Sequence, residues 1–81
     1  MKSHTDIKAA ILSTAQNRGP DKSTCPSEIA RDLFPTDWRA HMKDILVEAI
    51  ELEAEGKIII TQKGEPIDTT HIKGPVRIKI I

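Results

Sequence analysis

The chain has 81 residues, 38% of them hydrophobic and 30% charged, and 12 Lys and Arg balance 12 Asp and Glu to a formal charge of zero. That composition excludes a disordered polymer. A chain this short buries roughly 60–65% of its unfolded surface, which is enough for one core and too little to enclose a deep catalytic cleft.

With Phe34 and Trp38 as the aromatics and no tyrosine, the core is expected to be aliphatic. No apolar run approaches the roughly 18 residues of a membrane span. The opening MKSHTDIK lacks the apolar stretch of a secretory signal, and the single Cys25 cannot form an internal disulfide. A cytoplasmic location and no membrane partner are therefore expected. The charge is unevenly spread: +2 over residues 1–24, −5 over residues 25–56 and +3 over residues 57–81. An anionic partner would be drawn to the two ends of the chain.

A first helix is expected over about residues 5–17. Thr5 can cap it, Asp6 favours its dipole, and Ile7, Ala10, Ile11 and Ala15 form an apolar stripe. Gly19-Pro20 ends it, and Ser23 and Thr24 add a very short strand. A second helix is expected over 26–33, with Pro26 at its first position and Glu28 where a capping-box acid sits. Ile29, Ala30 and Leu33 face inward, and Arg31 and Asp32 face water. Phe34-Pro35 stops it.

Thr36 is then expected to cap a third helix over about 37–55. Trp38, Met42, Ile45, Leu46, Ala49 and Leu52 follow one face, and Gly56 is the stop. Glu48, Glu51, Glu53 and Glu55 sit badly with the helix dipole, and nothing in the sequence accounts for them. From Lys57 the period changes. Strands are expected over 57–61 and 76–80, pairing antiparallel across a long loop from Gln62 to Lys73. In the second strand apolar residues alternate with Arg77 and Lys79, giving a basic outer face. Within the loop, Gly64 is available for positive φ, and Asp68 can cap a turn with Thr69 and Thr70.

Three helices followed by a hairpin is the order of an α+β winged-helix domain. The second and third helices form the helix-turn-helix and the hairpin forms the wing. One such domain spans residues 1–81. The stretches Cys25-Pro26-Ser27-Glu28-Ile29-Ala30-Arg31, Asp37-Trp38-Arg39, Glu55-Gly56-Lys57-Ile58, Thr61-Gln62-Lys63-Gly64-Glu65-Pro66-Ile67-Asp68 and Gly74-Pro75-Val76-Arg77 resemble a bacterial family catalogued as domain of unknown function 3253. The resemblance runs from about Ile7 to Ile80. It implies a winged-helix-like fold and carries no assigned biochemical activity. This chain departs from the family at His41, where an apolar residue is usual, and lacks a frequent arginine around Ile45, Leu46 and Val47.

Nucleic-acid binding is the leading expectation. In a winged helix the start of the third helix enters the major groove and the wing meets the backbone. The candidates are Arg39, Lys43, Lys63, Lys73, Arg77 and Lys79. Arg39 can read guanine edges and the lysines can hold phosphates. Against this, Asp37 and Asp44 are placed to pair with Arg39 and Lys43, and the sequence pI of about 6.8 is not strongly basic. The alternative is a protein-interaction module, with the glutamates of the third helix and an exposed Val47 meeting a basic partner. Self-association through open strand edges belongs to this reading, and a monomer or weak homodimer is expected.

An enzyme is not expected. Cys25 at a helix N-terminus would need a histidine as base, and His4, His41 and His71 stand in no pattern with it. No metal ligands and no cofactor are expected: the histidines and the cysteine show no ligand spacing, and the glycines are isolated. Trp38 at the start of the third helix can stack on a base, although its register with Met42, Ile45 and Ala49 points to core packing.

Overall fold

The computed structural model describes residues 4–67 and 74–81. Lys73, His71 and the turn expected at Asp68, Thr69 and Thr70 lie outside these residues.

Helix α1 (His4–Arg18) buries Ile7, Ile11 and Ala15 at helical spacing. Gly19, at φ +83°, donates its N–H to the Ala15 and Gln16 carbonyls at 3.2 and 3.1 Å. Strand β1 (Ser23–Thr24) leads into helix α2 (Pro26–Leu33), whose proline occupies a position that needs no amide donor. The capping box expected of Glu28 does not form. Its carboxylate pairs instead with Arg18 and accepts a 2.9 Å hydrogen bond from Thr24 Oγ1. Arg18 first, and Thr24 after it, hold Glu28 below the usual carboxylate range. A charged donor on the neighbouring helix outbids a backbone amide for the same oxygens.

The third helix is not one run from residue 37. A 3₁₀ turn covers Trp38–His41, and helix α3 follows over Met42–Ala54. Asp37, not Thr36, stands at the N-cap of the 3₁₀ turn, and its side chain makes no cap bond. That carboxylate is engaged by His41 instead. At the far end, Lys57 N–H reaches the Leu52 carbonyl at 3.1 Å and Gly56 N–H the Glu53 carbonyl at 3.0 Å. With Gly56 at φ +78° this is a Schellman cap.

Strands β2 (Ile58–Gln62), β3 (Glu65–Pro66) and β4 (Arg77–Ile80) complete an antiparallel sheet ordered β1-β4-β2-β3. The long loop expected after Gln62 is in fact opened by a tight hairpin. Gln62 pairs with Glu65 and Thr61 with Pro66, so Lys63 and Gly64 alone form the turn. Both have positive φ, +54° and +83°, as a type I′ turn requires. Pro66 is tolerated because β3 is an edge strand.

The helices and the sheet bury one aliphatic core. Ile45, Ala49 and Leu52 of α3 meet Ile7 and Ile11 of α1, Ile29 of α2, Ile58 and Ile60 of β2 and Ile78 of β4. Trp38, Met42 and Leu46 pack half-buried against it. Among the described residues no helix is long and apolar enough to cross a membrane.

The hairpin turn sets a testable asymmetry. Gly64→Ala should cost about 1 kcal/mol, the strain of a Cβ in the left-handed region. Lys63→Asn should cost nothing, since asparagine tolerates that region. Urea denaturation of the two variants measures both.

Candidate nucleic-acid interface

The acidic run of α3 acquires partners that are distant in sequence. Glu48 is buried, and its Oε2 meets Nδ1 of the exposed His4. Lys8 of α1 lies 3.4 Å from both Glu51 and Glu55, and Lys57 lies 3.3 Å from Glu55. Glu53 Oε2 accepts the Ile60 N–H of β2 at 2.7 Å. Lys57 and then Lys8 hold Glu55 below the usual carboxylate range. These four acids thus tie α3 to α1 and to the sheet.

Glu53 has the clearest structural role. It satisfies an N–H of a fully buried residue on the side of β2 away from β4, just past the two residues that β3 pairs. Glu53→Ala should destabilise by about 1–3 kcal/mol, the cost of orphaning that donor. Glu53→Gln, which keeps an acceptor, should recover most of the loss in the same urea experiment.

The opposite end of α3 gathers the basic candidates. Arg39 lies in the 3₁₀ turn and is exposed, with its guanidinium carbon 4.9 Å from the Trp38 ring centroid. Arg31, from the last turn of α2, places its own guanidinium carbon 4.5 Å from that ring. Lys43 is exposed on the first turn of α3.

The acids expected to neutralise Arg39 and Lys43 do not do so. His41 takes both: its Nε2 lies 3.3 Å from Asp37 Oδ2 and its Nδ1 3.0 Å from Asp44 Oδ2. The imidazole also stacks on Phe34, with centroids 3.7 Å apart and planes 11° from parallel. Only a doubly protonated ring can donate to both carboxylates. Accordingly Asp44 first, and Asp37 after it, raise the His41 pKa above the ordinary histidine value. Arg31, Arg39 and Lys43 are left with no carboxylate partner among the described residues.

The hairpin candidates are placed differently from one another. Lys63 is exposed at the tip of the β2–β3 turn. Arg77 and Lys79 share the outer face of β4, with Arg77 exposed and Lys79 half-buried. Arg77 is also a structural brace. Its Nε donates to Ser23 Oγ at 2.7 Å, its Nη2 to the Ser23 carbonyl at 2.9 Å, and its Nη1 to Cys25 Sγ at 2.8 Å. It locks β4 to β1 and to the start of α2. Lys73 lies outside the described residues.

Two features of this surface escaped the sequence reading. Arg31 faces water as expected, but its approach to Trp38 depends on the path of the turn between α2 and α3. His41 left a usable signal, since Asp37 and Asp44 stand four residues before it and three after it. The histidines at positions 4 and 41 are committed to carboxylates, and neither meets Cys25. Among the described residues no group of three or more His, Cys, Asp and Glu side chains converges to hold a metal.

Three helices on an antiparallel sheet, with the Thr61–Pro66 hairpin and Arg77 fixed as above, place the residues of the sequence motif in one α+β unit. The chain belongs to the family described as protein of unknown function DUF3253, whose model matches residues 4–81. No curated protein matches it.

The His41 geometry predicts a pH dependence. A pKa raised on folding contributes stability that is complete below about pH 6.5, the unfolded value. That stability is lost as pH rises through the folded value. His4, raised chiefly by its hydrogen bond to Glu48, acts in the same direction. The stability of His41→Gln should therefore differ most from wild type below pH 6.5, and the difference should shrink towards pH 8. Chemical denaturation across that range measures it.

Proposed function

We propose that the chain is a non-enzymatic winged-helix protein that binds double-stranded DNA with the start of its third helix and its wing. The single observation that carries this reading is the capture of Asp37 and Asp44 by His41. Among the described residues it leaves Arg39 and Lys43 with no acid partner, at the place where a winged helix meets the major groove. The net charge is zero, but the charge is sorted. The glutamates of α3 are spent on α1 and the sheet, and Arg39 and Lys43 stand at the other end. A local field of one sign steers an anionic partner whatever the total charge.

On the wing, Lys63 at the hairpin tip and Lys79 on β4 supply phosphate contacts, with Lys73 beside them in the sequence. Arg77, already bonded three times within the chain, orients the wing and keeps two of its five N–H groups for a phosphate. The competing protein-interaction reading draws on the α3 glutamates, which have partners inside the chain, and on Val47, which is exposed.

The test is a ¹H–¹⁵N correlation spectrum titrated with a mixed-sequence duplex of about two helical turns, at low and at higher salt. Resonances of Arg39, Lys43, Lys63 and Lys79 should shift together, and the shifts should fade steeply with salt. A spectrum unmoved at low salt would refute the reading.

A further inference from the structure

We infer that Arg31 and Arg39, held over the Trp38 indole, form a clamp for nucleic-acid backbone phosphate. This rests on the nucleic-acid reading and changes what Arg39 does within it.

Both guanidinium carbons lie within 5 Å of the same indole, at 4.5 and 4.9 Å. That is inside cation–π range. Trp38 is half-buried and packs against the core, so the platform is rigid. A guanidinium stacked on an aromatic face keeps its N–H groups at its edge, free to form the two parallel bonds that a phosphate accepts.

One stacked arginine would brace the turn between α2 and the 3₁₀ turn. Two cations on one ring repel each other, and a brace has no use for the second. Nothing nearby relieves that repulsion: Asp37 and Asp44 belong to His41, and no carboxylate pairs with either arginine among the described residues. An anion placed at both guanidinium edges relieves it. The two arginines come from different elements, α2 and the 3₁₀ turn, so one phosphate contact would fix the helix-turn-helix against a strand.

A guanidinium turned onto Trp38 is not directed at a base edge. The clamp is therefore a positioning contact that carries no sequence information. This replaces the guanine-reading role expected of Arg39.

Trp38 is the one tryptophan of the chain, so its fluorescence reports the site directly. The probes are two duplexes of unrelated sequence, and tripolyphosphate alone. The proteins are wild type, Arg31→Gln, Arg39→Gln, the double variant and Arg39→Lys. Each glutamine variant should weaken both duplexes by the same factor. Each should also reduce the slope of log affinity against log salt, and the double variant by about 0.9, the loss of the one phosphate contact the two arginines share. Arg39→Lys, which keeps the charge and loses the planar fork, should weaken binding by less than Arg39→Gln. Tripolyphosphate should change Trp38 emission in wild type and not in the double variant.

Glutamine variants that bind both duplexes with wild-type affinity and slope overturn the clamp and leave the DNA reading standing. An Arg39→Gln loss confined to one duplex, with the slope unchanged, overturns it in favour of base reading. If no duplex binds but tripolyphosphate still acts through the two arginines, the pair binds phosphate, and the nucleic-acid clamp fails together with the duplex reading. If neither probe alters Trp38 emission, both fail.

Discussion

Burial of the α3 stripe is the constraint on which the rest of the molecule depends. Ile45, Ala49 and Leu52 are sealed against α1, α2 and the sheet. A buried aliphatic side chain contributes about 1.5–3 kcal/mol, whereas an exposed ion pair contributes about 0–1 kcal/mol. The core therefore decides how α3 is rotated, and the charged residues take the positions that rotation leaves them. Glu48, Glu51 and Glu55 turn towards α1, Glu53 meets β2, and Lys43 and Asp44 are carried to the solvent end. Which neighbour each charged side chain meets is a consequence of packing, and the ion pairs follow it.

The elements that depend on local pattern were legible in the sequence. The apolar spacing of Ile7, Ile11 and Ala15, the stops at Gly19 and Gly56, and the alternation through Val76, Arg77, Ile78 and Lys79 each report a backbone preference acting over a few residues. What escaped was decided by distance or by competition. His4 and Lys8, the α1 partners of Glu48 and Glu55, lie more than forty residues away in the chain, and the bonds of Arg77 join residues more than fifty apart. Thr36 and Glu28 illustrate competition: each suits a capping role, and in each case another group took the position or the oxygen. The two-residue turn at Lys63 was hidden because lysine is an unusual occupant of positive φ, so Gly64 alone gave half the signal. Of the candidate site, the basic residues were legible but their state of pairing was not. That state turns on His41.

The surface around Trp38 shows how one aromatic residue can serve both sides of a boundary. Its inner part closes the core beside Met42 and Leu46. Its outer part fixes two long, flexible side chains whose rotamer freedom would otherwise oppose any contact they make. His41 does related work a few residues on, where its ring covers Phe34 and its nitrogens withdraw two negative charges from the basic side chains. Remove either arrangement and the same sequence of charges would have a different field.

The contact between Glu53 and Ile60 has a consequence for how copies of this protein meet. A β-sheet is vulnerable at its margins, where unpaired amides invite a foreign strand to continue the ladder. Here both outer strands, Ser23–Thr24 and Glu65–Pro66, are two residues long, and one contains proline. Beyond the short reach of β3, the Ile60 amide is occupied by Glu53 and its carbonyl by the Ile67 N–H. Among the described residues neither outer strand offers a neighbouring molecule a template of more than two residues. Among the described residues an isoleucine-rich sheet, whose β-branched composition favours strand addition, thus ends in two truncated margins, one of them closed by a carboxylate.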